Sequence, residues 1–153
     1  MSVGARLPEF DLGTSAGGRM STADLAGRRT VLYFYPKDDT PGCTLEGQEF
    51  SRLSDDFEKA GVAVFGVSPD SEKSHERFVS KCALHIPLVS DPDHVLIDAL
   101  GLWVQKKFAG RTYMGVERST FLIDSDGSVE REWRQVKPAG HAAEVLEAVR
   151  PTA

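Results

Sequence analysis

Cysteine is scarce in this sequence: its 153 residues include only Cys43 and Cys82. Two thiols do not make a structural zinc site, which takes four ligands at recognisable spacings, and the histidines at 75, 85, 94 and 141 form no HxxxH or CxxC pattern with them. No metal is expected. Long apolar runs are missing too. The best, at 30–35 and 62–67, fall far short of the ~20 residues a membrane helix needs, so no membrane partner is expected. Basic charge is in deficit, with 18 Lys+Arg against 23 Asp+Glu and a formal net charge of −5. That balance argues against nucleic-acid or anionic-membrane binding, either of which needs a basic patch. The first twelve residues carry Arg6, Pro8, Glu9 and Asp11 in place of the continuous apolar stretch of a secretory signal, so a cytoplasmic location is expected. There is no internal repeat or low-complexity tract.

What is present reads as one α/β domain over 1–153. A chain of this length buries roughly 68–70% of its unfolded surface, enough for a core without disulfide staples. Thr-Val-Leu-Tyr-Phe-Tyr at 30–35 suits a strand buried on both faces, and it stops at Pro36. Residues 36–42 form a loop by composition. Beyond it Leu45, Phe50, Leu53, Phe57 and Ala60 follow a helical stripe ended by Gly61, so that Cys43 opens a helix. A second strand at 62–67, turn and capping residues at Asp70 and Ser71, and a polar helix over 71–83 complete a β-α-β-α unit. A short strand at 86–89, a short helix at 94–100 and an extended stretch at 101–115 follow. Two strands at 118–124 and 129–134, joined by a turn, lead to a helix starting near Ala139. Ahead of all this, 9–12 and 21–25 read as a strand or hairpin and a turn of helix. The pattern predicts a thioredoxin-like fold, a mixed central β-sheet flanked by helices, with an N-terminal extension.

Chemistry concentrates around Cys43. A cysteine in the first turn of a helix lies near unpaired backbone N–H groups and the positive end of the macrodipole, which favour thiolate over thiol. Pro41 has no N–H, so the nearest backbone donors to a bound oxygen are those of Gly42 and Cys43, and Gly42 allows close approach. Thr40 adds a hydroxyl that can donate and accept. An isolated cysteine at a helix start is otherwise a buried, inert residue, because free cysteine is among the most buried residue types.

The run Pro36-Lys-Asp-Asp-Thr40-Pro-Gly-Cys43-Thr44 resembles the peroxiredoxin pattern Pro-x-x-x-Thr-x-x-Cys. Preceded by Tyr35, it is similar to the bacterioferritin comigratory protein, or peroxiredoxin Q, branch. Gly-Val-Ser-Pro-Asp at 66–70, Phe78, Pro-Leu-Val-Ser-Asp at 87–91 and Arg-Ser-Thr-Phe-Leu-Ile-Asp at 118–124 extend the resemblance over nearly the whole chain. It implies a peroxidatic Cys43 that attacks hydrogen peroxide or an organic hydroperoxide and becomes a sulfenic acid, with Thr40 bonded to the peroxide, Pro36 shielding the thiolate from water, and Arg118 as active-site arginine. Read from the residues alone, Arg118 is a surface charge at a strand edge. No cofactor is implied. The implied partners are the peroxide and thioredoxin or a similar dithiol, and the implied state is a monomer, with a weak dimer as the alternative.

The pattern breaks at one place. Many relatives carry a resolving cysteine five residues after the first, where this chain has Gln48. Others resolve from the following helix, where Cys82 lies, about a turn later than the resemblance places it. Cys82 is therefore the candidate resolving thiol for an intramolecular disulfide; the alternative is a core residue four after Phe78, leaving a one-cysteine peroxidase. Two helices in one β-α-β-α unit would set the two thiols about 16 Å apart along the axis, so a disulfide requires helix ends to loosen. Trp103, Phe108, Tyr113 and Met114 either rim the site or cover core. Glu46 suits a helix N-terminus as a surface residue, and the four histidines are expected to be solvated. A peroxide sensor or redox-switched binding protein is the alternative function. A disulfide oxidoreductase is disfavoured, since Thr40 stands where its CxxC motif would begin.

Overall fold

A computed structural model describes residues 3–150. The N-terminal extension is a small hairpin, β1 (Asp11–Gly13) with β2 (Arg19–Ser21), followed by a 3-10 turn at Thr22–Leu25. The apolar run then forms β3 (Arg29–Phe34), whose residues from Thr30 onward are all buried. Thr40 caps α1 (Pro41–Arg52), with Pro41 in the first turn, where its missing N–H costs nothing.

The stripe from Leu45 to Ala60 is not one helix. It breaks at Leu53, and α2 (Ser54–Lys59) follows. The Ser54 hydroxyl donates to the Ser51 carbonyl at 2.8 Å, a local side-chain bond that competes with helix continuation.

β4 (Val62–Ser68) pairs parallel to β3, and α3 (Glu72–Cys82) begins where Ser71 Oγ accepts from Ser74 N–H and ends at Ala83 in the left-handed region. Next come β5 (Leu88–Ser90), parallel to β4, and α4 (Val95–Ala99). The expected extended stretch is a separate antiparallel hairpin, β6 (Trp103–Phe108) with β7 (Arg111–Val116), turned at Ala109 and Gly110. β8 (Ser119–Ile123) lies antiparallel to β3 and β9 (Val129–Trp133) antiparallel to β8, before α5 (His141–Val149). The main sheet thus has the order β5-β4-β3-β8-β9, mixed in direction.

Two apolar clusters sandwich this sheet. One gathers Val31, Tyr33 and Tyr35 of β3 and its exit with Phe50, Phe57, Phe78 and Val145 from the helices, and Cys43 belongs to it. The other joins Leu32, Phe34 and Phe121 to the N-terminal extension and α4. Alternating residues of β3 serve opposite clusters, so one strand organises both layers.

Gly66 marks how tightly the sheet packs. A Cβ there would lie 2.7 Å from Leu88 Cδ2 and from the Tyr33 ring, whereas one at Gly47 would meet Leu84 at an ordinary 3.4 Å. Gly66→Ala is therefore expected to cost about 1–3 kcal/mol. Gly47→Ala, inside a helix, is expected to be neutral or to stabilise by up to about 1 kcal/mol. Urea midpoints of the two variants test this; an unchanged midpoint for Gly66→Ala would contradict the packing.

Candidate active site

The register of the sheet builds the site. Phe34 pairs with Ser119, so the residues just beyond, Tyr35 with Pro36 on one strand and Arg118 on the other, leave the same edge of the sheet side by side. The loop 36–40 then delivers Cys43 as the third residue of α1, in the turn whose N–H groups have no intrahelical acceptor. Cys43 is 1% exposed.

Arg118 spans the site. Its Nη2 lies 3.3 Å from Cys43 Sγ and donates to it, and its Nη1 donates to Glu46 Oε1 at 2.8 Å. The Arg118 side chain is 16% exposed and that of Glu46 is wholly buried. Gly42 makes room for this contact: a Cβ there would sit 3.1 Å from Arg118 Nη2 and 3.3 Å from Pro138 Cγ. The Arg118 carbonyl is held by Val136 N–H, and the side chain of the preceding residue, the Glu117 carboxylate, accepts from Arg134 and Ser119.

Glu46 is thus no surface residue, contrary to the expectation from its place in the first turns of the helix. It lies one turn after Cys43, on the same helical face, and Arg118 draws that face inward. Burial raises its pKa from 4.5 to about 7, against the opposing pull of Arg118. Among the described residues its Oε2 has no hydrogen-bond partner, and neither has the buried hydroxyl of Tyr33, whose pKa is held well above 10 by burial and next by the Glu46 charge.

Thr40 Oγ1 donates to the Lys37 carbonyl at 2.9 Å, which leaves its lone pairs free to accept a hydrogen bond from an O–H group. Pro36 is half-buried at the exit of β3. The geometry brings Cys43 and Arg118 into contact, with Pro36 and Thr40 on the short loop before α1 and Gly42 in its first turn. It does not join Cys82 to Cys43 by a disulfide; both are free thiols. Cys82 is half-buried at the last residue of α3, packed against the apolar cluster that contains Cys43.

The remaining expectations divide. Ser71 caps α3, whereas the Asp70 carboxylate turns back to accept from the Asp38 N–H. His75 and His141 are buried, not solvated: His75 contacts Asp38, and His141 contacts Thr120 and Glu144. The spacing of His75 from Phe78 and Cys82 was the signal, since all three fall on one helical stripe. Trp103, Phe108, Tyr113 and Met114 do not cover core; they are exposed on the β6–β7 hairpin. Phe108 and Tyr113 share a strand face with Lys106, whose pKa is lowered by partial burial and then by the Arg118 charge. No group of metal-ligating side chains and no helix long and apolar enough to cross a membrane occurs among the described residues.

A buried helix-N-terminal thiol under a guanidinium, on a thioredoxin-like sheet, is an arrangement suited to the chemistry of a thiol-dependent peroxidase. The chain belongs to the AhpC/TSA family, whose model matches residues 3–132, and to its peroxiredoxin Bcp, or peroxiredoxin Q, branch. It is 45% identical to a putative peroxiredoxin Bcp of Coxiella burnetii over 95% of this chain and 97% of that one. It is 41% identical to peroxiredoxin Bcp of Bacillus subtilis over 98% and 96%. Among solved structures, a mutant of Xanthomonas campestris peroxiredoxin Q superposes with a TM-score of 0.89 at 44% identity, covering 97% of this chain and 98% of that one. A trapped intermediate/ligand complex of the Xanthomonas campestris bacterioferritin comigratory protein, described in terms of its alkyl peroxide reduction activity, matches with a TM-score of 0.89 at 43% identity and 97% coverage of each chain.

The buried carboxyl makes stability depend on pH. Because the folded-state pKa of Glu46 is raised from 4.5 to about 7, the folded protein holds this proton more tightly than the unfolded chain. The group's contribution is therefore neutral below the lower value and becomes unfavourable as pH rises through the window, by about 3 kcal/mol once above it. Glu46→Gln should remove that part of the loss between pH 5 and pH 8, read as urea-unfolding free energies; identical pH slopes in both proteins would contradict the assignment.

Proposed function

We propose that Cys43 is the peroxidatic cysteine and Cys82 the thiol that resolves it, in a chain that works as a single domain. The observation that carries this reading is the 3.3 Å contact from Arg118 Nη2 to Cys43 Sγ at the start of α1. The thiolate sulfur attacks one peroxide oxygen, the O–O bond breaks with its electron pair on the departing oxygen, and that oxygen leaves as water or alcohol after taking a proton. Cys43 becomes a sulfenic acid. The Thr40 hydroxyl receives the peroxide O–H, and the N–H groups of Gly42 and Cys43 with the Arg118 guanidinium face the oxygens on which charge develops. Pro36 limits water at the sulfur. Glu46 acts through Arg118 and holds its guanidinium in register, a positioning role.

In the second step the Cys82 thiolate attacks the Cys43 sulfur, an S–S bond forms, the S–O bond breaks and the oxygen leaves as water. The half-burial of Cys82 at a helix end, where the last carbonyls have no intrahelical donor, supports a thiol that can be released by fraying. A dithiol protein such as thioredoxin then reduces the disulfide by exchange. Free thiols suit a reducing cytoplasm, and we assign the protein there, acting as a monomer.

The test uses reduced protein freed of reductant, one equivalent of hydrogen peroxide, then intact mass and non-reducing peptide mapping. The proposal predicts a monomer two hydrogens lighter with the Cys43 and Cys82 peptides linked. One oxygen retained on Cys43 would make Cys82 structural and the protein a one-cysteine peroxidase. No change at Cys43 would remove it from its role. Cys43→Ser should abolish turnover; Cys82→Ser should keep the first oxidation and lose thioredoxin-supported cycling.

A further inference from the structure

A buried polar cluster just behind the loop 36–40 takes no part in the chemistry above. Its centre is Asp38, with a side chain 4% exposed against that of His75 at 0%. Asp38 Oδ1 accepts from the Tyr35 hydroxyl at 2.6 Å. Oδ2 accepts from the Ser74 hydroxyl at 2.8 Å and faces His75 Nδ1 at 2.7 Å. The Asp38 N–H donates to Asp70 Oδ2 at 2.8 Å, and Ser68 Oγ donates to the same oxygen at 2.6 Å. On its far side His75 Nε2 lies 3.0 Å from the Val89 carbonyl. A carbonyl only accepts, so Nε2 carries a hydrogen. Nδ1 is the ring nitrogen that faces the Asp38 carboxyl.

The placement is what matters. Asp38 sits two residues before Thr40, on the short loop that ends at α1. Ser74 and His75 sit on α3, whose last residue is Cys82. Among the described residues the other side-chain bond between this loop and α3, Lys81 to Asp39 at 2.7 Å, has side chains 66% and 48% exposed and is weak for that reason. We propose that the Asp38–His75 pair, with Tyr35 and Ser74, is the clamp that positions Thr40 for peroxide and must open before Cys82 can reach oxidised Cys43. The second half of this proposal rests on the resolving role given to Cys82 above; the first half does not.

The clamp thereby sets opposite demands on the two steps. Closed, it fixes the loop through bonds of which the two at the centre, Tyr35 to Asp38 and His75 to Asp38, are buried, and the reaction with peroxide is fast. Open, it frees the start of α1 and the end of α3 for disulfide formation. Weakening it should slow the first step and speed the second, an outcome that simple destabilisation does not give.

The experiment is a rapid-quench time course on fully reduced full-length protein, with sulfenic acid and disulfide resolved by mass. The variants are Asp38→Asn, His75→Gln, and the milder Tyr35→Phe and Ser74→Ala, which each remove one donor and keep the shape of the core. Val129→Ala, in the other apolar cluster, supplies a control of comparable loss in Tm. For Asp38→Asn and His75→Gln the expectation is a peroxide step slower by roughly tenfold and a disulfide step faster by roughly tenfold, with smaller changes of the same signs in the milder pair. Both steps falling together, as in the control, or neither moving, would overturn the clamp. The same variants in a Cys82→Ser background isolate the peroxide step. A tenfold slowing there supports the Thr40-positioning half even if wild-type protein forms no Cys43–Cys82 link, the result that would remove the resolving role and the opening half with it.

Discussion

The Arg118 guanidinium, held between a buried thiol and a buried carboxyl, is the interaction on which the site depends. Planar and permanently charged, it makes two directed bonds at once, one to Cys43 Sγ and one to Glu46 Oε1. Burying its partner carboxylate is unfavourable, as the raised pKa of Glu46 shows. In return the guanidinium has one orientation, aimed at the sulfur. A surface arginine would sample many rotamers and stabilise the same charge far less.

The fold exists to make that meeting possible. Antiparallel pairing of β3 with β8 carries Arg118 to the edge of the sheet at which β3 gives way to Pro36. Parallel pairing of β3 with β4 sends α1 and α3 off that same edge, so a single short loop touches both helices. Gly42 then removes the one side chain that would crowd the guanidinium. Each of these is a backbone constraint, and together they bring residues distant in sequence within a few ångströms.

Much of this was legible in the sequence. The run at 30–35 announced a doubly buried strand, the composition of 36–42 a loop, and the stripe after Cys43 a helix. The mixed sheet follows from these with the two later strands. Other features were not legible because they depend on partners from elsewhere in the chain. Glu46 reads as a helix N-terminal charge until Arg118 arrives from β8, and Arg118 reads as a strand-edge charge until β3 lies beside it. His75 sits on the apolar stripe of a polar helix, and only the Asp38 carboxylate explains a buried imidazole there. The hairpin at β6–β7 hid behind exposed aromatics with no clean alternation, since neither of its faces lies in the main sheet. The break at Leu53 coincides with a serine hydroxyl bonding the Ser51 carbonyl, a local contact that periodicity does not register.

In the proposed mechanism two simultaneous, directed bonds from one planar cation prepare Cys43. Arg118→Lys keeps the charge and removes the second bond, because an ammonium is a point donor that cannot span the thiol and the carboxylate in the same geometry. The direct measurement is the second-order rate constant for oxidation of reduced protein by hydrogen peroxide, in single turnover. A fall of about 10²–10³-fold is expected for Arg118→Lys, the loss typical of a displaced oxyanion donor. A rate within about threefold of the wild-type value would contradict it, and would mean that positive charge near the sulfur is sufficient without the bridge.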